Sequence, residues 1–444
     1  MENKQYVRMT TEPVEKLLVS LSIPTIISMM VTTVYNIADT AFVGTLGTSE
    51  SAATGVVSGF MAILQAVAFL CGQGAGSIMS RKLGAKDREE ATKYTSTGFF
   101  MSFTLGLLIA VLSFLFMNPL LRILGSTSTI APYAKKYIFY ILISAPFFTS
   151  SLTLNNLLRY EGKAKFGTVG LMTGSVLNIA GDAIMIFGFN MGIEGAGLST
   201  AVSQIIGFCI LISMYIRQKT ETKLSFKYIS KELSPFMEIA ATGFPSLLRQ
   251  GLNSAATMLL NGAAAVYGDY AVSAMSIVTR ISFFPLAVAI GIGQGFQPIS
   301  AFNFGAGFKE RVKKAFHKAL RGSSVAILII SVPIFIFAEP IVGLLRNDAL
   351  VIETGARALR LICVAQLLMP ITMMVEMGFQ SIGQKLLASI GSSLRSGLVF
   401  IPTLLLMAKY RGLAGIQEAQ PLAFVITFGV CLFLYKIYIR KLEE

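Results

Sequence analysis

Along this chain, apolar runs of about twenty residues or more alternate with short polar segments that hold most of the charge. A bilayer core of about 30 Å takes about 20 apolar residues per helix. The pattern therefore predicts transmembrane helices over 17–41, 53–78, 94–117, 136–158, 167–188 and 195–216, then over 236–266, 271–300, 319–345, 356–381, 387–408 and 419–438. Between the two groups, Arg217 to Pro235 is polar and mixed in charge. The fold class expected is an all-α integral membrane protein with twelve transmembrane helices as two pseudo-symmetric six-helix bundles. Its expected divisions are an N-terminal lobe over 1–216, a cytoplasmic linker over 217–235 and a C-terminal lobe over 236–444.

The pseudo-symmetry rests on an internal repeat. Gly72-Gln73-Gly74, followed by Gly84-Ala85, returns as Gly293-Gln294-Gly295 and Gly305-Ala306, an offset of 221 residues. The same offset carries Pro24 onto Pro245, Gly47 onto Gly268 and Ala53 onto Ala274. Self-similarity at a fixed offset marks a repeated structural unit. An even number of spans per unit makes the two units parallel repeats, related by an axis along the membrane normal, with a cavity expected between them near the midplane. Gly291 to Gly295 lacks the preceding strand and the full GxGxxG spacing, so the glycines are expected to serve close helix packing rather than a nucleotide.

Composition sharpens this picture. The chain is 54% hydrophobic and 14% charged, with a mean hydropathy of +0.68, whereas a soluble chain is about one quarter charged. The formal charge of +14 is spread over the segments between apolar runs and does not gather on a nucleic-acid-binding face. With both termini placed in the cytoplasm, 26 of the 37 Lys and Arg fall on the inner side and 8 on the outer, which orients the chain in the cell's inner (plasma) membrane. Met1 to Lys16 is polar and has no signal-peptide pattern. Cys71, Cys209, Cys363 and Cys431 are far apart inside apolar runs, which offers no disulfide framework or CxxC metal site; they read as small core residues.

Catalysis of the soluble type is not expected. His317, the single histidine, sits in the basic run from Lys309 to Arg321, away from any serine or cysteine triad at membrane depth. Acidic residues inside spans carry more information, because a charge at the centre of such a helix costs about 2.5–3.5 kcal/mol. Three stand out: Asp39, Asp182 and Glu376. Asp39 shares a helix face with Asn36 and Tyr35, at i−3 and i−4; the bland alternative is an aspartate wetted at the outer interface. Asp182 follows Asn178 by one turn, and that polar stripe must face the bundle interior. Thr200, Gln204 and Asn155 add oxygen ligands suited to a hard cation, or interhelical hydrogen bonds that only fix packing. Glu376 is either a second titrating group or a structural bridge to Arg280 or Arg395. Arg249 either snorkels to the cytoplasmic surface or meets an anionic substrate.

These residues resemble the multidrug and toxic compound extrusion (MATE) transporters over nearly the whole chain. The resemblance is carried by Ile23-Pro24, by Ile37-Ala38-Asp39-Thr40 with Val43-Gly44, and by the basic segment after Gly84-Ala85. Leu177-Asn178 through Asp182, Gly243 to Pro245, and Asn303-Phe304-Gly305-Ala306-Gly307 complete it. It implies a two-lobed exporter of organic compounds that works by alternating access in exchange for H⁺ or Na⁺. It implies also that the coupling cation is held by Asp39, Asn155, Asn178, Asp182 and Thr200; were the ion Na⁺, Asp39, Asn178 and Asp182 would be its ligands. Acidic residues that some members carry on helices 7 and 10 are replaced here by Asn253 and a residue near Met369, which removes support for a second cation site unless Glu376 serves there.

The substrate expected is a small organic, lipophilic cationic compound held between the lobes. Its cavity candidates are Tyr35, Asn36, Gln204, Asn253 and Glu376, with adaptable walls such as Met29-Met30 and Met373-Met374. Two aspartates brought close in a low dielectric should share a proton or hold Na⁺. No cofactor beyond the transported ion, no nucleic acid and no enzymatic activity are expected; the lipid bilayer is the expected partner, and the chain a monomer. The alternatives are a flippase for a lipid-linked sugar or other amphiphile, which would need a strongly cationic cavity, a membrane-embedded transferase or hydrolase, and a simple channel.

Overall fold

The computed structural model describes residues 4–217 and 219–443. A short α1 (Lys4–Thr11) precedes α2 (Val14–Gly44), α3 (Thr48–Gly84), α4 (Arg88–Leu115), the short α5 (Met117–Ile123), α6 (Ala131–Tyr160), α7 (Ala164–Asp182) and α8 (Gly192–Ile216). A π-helical turn over Ala183–Gly188 continues α7. After the linker come α9 (Leu233–Ala265), α10 (Asp269–Gly305), α11 (Lys309–Ile336), the short α12 (Ala338–Leu345), α13 (Ala349–Ala365), α14 (Met369–Ser381), α15 (Lys385–Ser393) and α16 (Phe400–Glu443). A second π-helical turn, Leu394–Leu398, joins the last two.

Among the described residues, ten helical stretches are long and apolar enough to cross a bilayer. Helix α9 adds an eleventh, made less apolar by Arg249, Gln250 and Asn253. The twelfth appears because Gly412, at φ 59° and ψ −138°, breaks α16 in two. The expected twelve spans are therefore all helical, with adjusted ends. Helices α3 and α10 reach 37 residues each, and the ninth span stops at Ile336 rather than at 345, interrupted by Phe337 at φ −97° and ψ 26°.

The repeat extends to the turns. Gly47 (φ 154°) and Gly268 (φ 103°) precede α3 and α10, and Gly162 (φ 80°) matches Gly383 (φ 83°), all at the 221-residue offset. Lys86 (φ 63°) matches Gly307 (φ 80°) in the turns after α3 and α10. Both adopt the left-handed conformation that closes a helix C-terminus. Asp87 then caps α4 by accepting from the Glu90 N–H at 3.1 Å.

Packing does not follow the two sequence halves. One compact unit comprises Ile27–Leu247, and the other Met1–Ile26 with Leu248–Glu444. The two boundaries, after Ile26 and after Leu247, are themselves one repeat offset apart and fall inside α2 and α9. Small residues explain the division. A Cβ on Gly74 would lie 2.2 Å from the Ile239 carbonyl oxygen, and one on Gly243 only 1.8 Å from that of Leu70, so α3 and the start of α9 touch backbone to backbone. In the other unit, Gly291 and Gly295 of α10 would meet Ile26 and Ser22 of α2 at 2.3 Å and 2.2 Å. The Gly-Gln-Gly glycines are thus packing devices: Gly74 and Gly295 bind the first halves of α9 and α2 to the unit opposite in sequence, while Gly72 and Gly293 pack against α6 and α14. Gly243→Val should therefore lower the melting temperature of the purified protein sharply, at a cost at or above the roughly 1–3 kcal/mol typical of overpacking. Gly251→Ala, with open space around its Cβ position, should leave it nearly unchanged.

Each unit has its own apolar core. In the first it gathers Val57, Phe60, Leu64, Ile138 and Ile141, and in the second Met275, Val278, Leu359, Leu404 and Ile416. Large apolar side chains also lie outside: Leu107, Leu108, Val111, Leu112 and Leu115 form an exposed stripe along α4. Water would disfavour so extended an apolar surface, and lipid accepts it. Among the cysteines, Cys71, Cys363 and Cys431 are buried as expected, whereas Cys209 is exposed.

The linker is fastened to the 27–247 unit rather than loosely solvated. The fully buried Glu161 carboxylate accepts from the Glu221 N–H at 3.0 Å, the Thr222 N–H at 3.1 Å and the Thr222 hydroxyl. Burial pushes that carboxyl up from its usual range, against the pull of Lys163 at 3.7 Å. Ser96 donates to the Lys223 carbonyl at 3.0 Å, and the Ser230 N–H to Thr97 at 3.0 Å.

Candidate cation site

Helix α7 carries Asn178 and Asp182 one turn apart, both buried, at 3% and 0% exposure. Gly181 lets α8 come close, since a Cβ there would stand 2.5 Å from Ser199 Oγ. That approach brings Ser199 and Thr200 of α8 to Asn178: Ser199 donates to its backbone carbonyl at 3.1 Å. With the Asn178 amide oriented to satisfy both ends, Nδ2 donates to Asp182 Oδ2 at 3.3 Å, and Oδ1 accepts from the Thr200 hydroxyl at 3.1 Å and its N–H at 3.3 Å. Immediately after Asp182 the helix widens into the π-helical turn, a distortion often found at functional positions.

Asp39 of α2 completes the group. Its carboxyl lies within hydrogen-bonding reach of Asp182, across two helices of the same unit. Two carboxylates have no donor between them, so such a bond requires one proton. The buried Asp39 Oδ1 has no hydrogen-bond partner among the described residues. None of the groups that act on either carboxyl is basic. The acidic charge is therefore left for a proton or a metal cation to balance, and the donor set of two carboxylates, an amide and a hydroxyl consists of the hard oxygens both accept.

The sequence-derived candidates separate into three groups. Asp39, Asn178, Asp182 and Thr200 come together, Asp39 half-buried. Asn155 stands apart: it packs against Gly167, eleven residues before Asn178 and so about 16 Å along α7. Tyr35 is half-buried, within electrostatic reach of both aspartates, whereas Asn36 is exposed. Gln204 accepts from Ser144 at 2.8 Å instead of joining the carboxylates. Two neighbours were missed: Ser199, whose only signal was adjacency to Thr200, and buried Tyr137, within hydrogen-bonding reach of Thr200, which no spacing singles out.

Asn253 and Glu376 belong to the other unit. Glu376 is 4% exposed and accepts from Arg249 Nη1 at 2.7 Å. Glu376 thus forms a bridge, but to Arg249 rather than to Arg280, which is exposed, and Arg249, buried at 7% exposure, does not snorkel. Asn253 is exposed on a cavity, and Met369 is buried. His317 lies on the exposed basic face, with Nε2 2.9 Å from the Tyr435 hydroxyl.

The MatE family model matches residues 24–184 and 245–406, two stretches that begin at the repeat-related prolines. The chain is 28% identical over 417 residues to the multidrug export protein MepA of Staphylococcus saprophyticus, covering 94% of this chain and 92% of the relative. MepA of Staphylococcus aureus matches with the same identity and coverage. An outward-facing multidrug resistance MATE family transporter of the MOP superfamily superposes with a TM-score of 0.94 at 25% identity, over the whole of both chains.

Proposed function

This chain belongs to the MatE family of membrane transporters, and from that premise we propose that it exports organic compounds in exchange for H⁺ or Na⁺ bound at Asp39 and Asp182. It is a multi-pass membrane protein and a transporter, not an enzyme. The observation that carries the coupling is the pair of carboxyls within hydrogen-bonding reach of each other with no basic group acting on them. A proton is the simplest occupant of that contact, and Asn178 and Thr200 would complete a Na⁺ shell. Relatives named multidrug export proteins support a drug-like cargo, and the unbalanced acidic charge supports a lipophilic cation that competes with the coupling ion. Coupling then follows from the difference in affinity between states exposed to the two sides of the membrane. The inner excess of Lys and Arg supports cytoplasmic termini in the cell membrane.

Proteoliposomes loaded with ethidium, with pH and Na⁺ gradients imposed one at a time, separate the ions. Efflux should follow one gradient and ignore collapse of the other. Efflux indifferent to both would overturn the proposal.

A further inference from the structure

The fifth and eleventh spans each carry a π-helical turn, the two found among the described residues. In the fifth it follows Asp182; in the eleventh it contains Arg395. Corresponding spans thus present opposite charges, and the surroundings of Arg395 are built accordingly. Arg395 stands within electrostatic reach of Glu376, Arg249 and the Cys431 thiol. Glu376 already accepts the 2.7 Å bond from Arg249. Two guanidinium groups therefore share one carboxylate, leaving one positive charge in excess.

That excess faces open space. Arg395 lines a cavity of ≈ 90 Å³ with no carboxylate among the described residues of its wall, where Asn253 and Gln366 supply amides and Phe283, Phe400 and Phe424 supply rings. A second observation points to a ligand. Gln366, only 2% exposed, donates from Nε2 to the Ser282 carbonyl at 3.0 Å, while its Oε1 is buried without a partner among the described residues. An orphaned buried acceptor costs free energy until a donor reaches it, and a half-buried guanidinium with no carboxylate of its own favours an anion.

We propose that this cavity binds a small aromatic organic anion, a carboxylate or sulfonate that also carries an N–H or O–H. Arg395 takes the anionic head through its planar fork of donors, Gln366 Oε1 accepts from the ligand's donor, and the three phenylalanine rings line the space against which the ring of the ligand packs. The site is distinct from the Asp39–Asp182 site in residues and in sign, so it holds anionic cargo that the acidic site would repel.

Anthranilate, a fluorescent aromatic carboxylate with an adjacent amine, is the probe, measured by equilibrium dialysis against the purified full-length protein. Arg395→Gln should weaken its binding by about tenfold or more, as expected for loss of a charge-assisted bond, with Arg395→Lys intermediate and ethidium binding unchanged. Benzoate, which lacks the donor, should bind the unaltered protein several-fold more weakly, a comparison that needs no mutant to fold. Equal affinity for anthranilate and benzoate, or anthranilate binding that Arg395→Gln leaves intact, overturns the proposal, as does equal loss of anthranilate and ethidium in that variant. Asp182→Asn should leave anthranilate binding in place even if it stops ethidium export, which keeps the two sites' tests separate.

Discussion

Asp182→Asn is expected to reduce gradient-driven efflux from proteoliposomes to the level seen without a gradient, a loss of about tenfold or more. The amide keeps the shape of the side chain, and its N–H₂ can donate to Asp39 without any proton from solution. The site should therefore stay folded while losing the group whose charge a cation balances. Asp39→Asn should behave alike, because either change leaves a single carboxylate in the pair. Thr200→Val removes one neutral ligand and should cost less. Efflux by Asp182→Asn at the unaltered rate, with the imposed gradient verified, would remove the coupling role assigned to this pair.

Glu376→Ala should be among the most destabilising single substitutions in the chain. It strips the 2.7 Å partner from Arg249 and leaves two guanidinium groups, those of Arg249 and Arg395, facing each other with no carboxylate between them. Breaking a buried pair at one end costs about 3–5 kcal/mol, whereas replacing both partners by apolar residues of similar volume is often neutral. The thermal melt of the detergent-solubilised protein should accordingly fall for Glu376→Ala and for Arg249→Ala, yet recover in large part when Met replaces both. Losses that simply add in the double variant would show that the two residues do not act as a pair.

Much of the molecule was legible in the chain itself. Twelve helices follow from apolar length, because a backbone in lipid must satisfy its own hydrogen bonds, and that constraint acts locally. The repeat was legible too, and the structure extends it to left-handed turns at Lys86 and Gly307. Asn178 and Asp182 could be joined because helical spacing puts i and i+4 on one face, and Asp39 stood out because a carboxylate inside an apolar run is costly.

Contacts between helices were another matter. Periodicity says which side of a helix is polar, but not which helix it meets or at what height. Asn155 shares its residue type with Asn178 yet ends up beside Gly167, and Glu376 takes its hydrogen bond from Arg249 rather than from Arg280 on the eighth span or Arg395 on the eleventh. The Gly-Gln-Gly pair shows the same limit. Its recurrence revealed two copies of one design, but the sequence placed the dividing line at the linker. The structure moves it to Ile26 and Leu247, because Gly74 and Gly295 admit a neighbouring backbone at a distance that any side chain would prevent. Local hydrophobicity and helical spacing determined the elements and their chemistry; the choice of partner for each helix face was made by steric fit among distant residues.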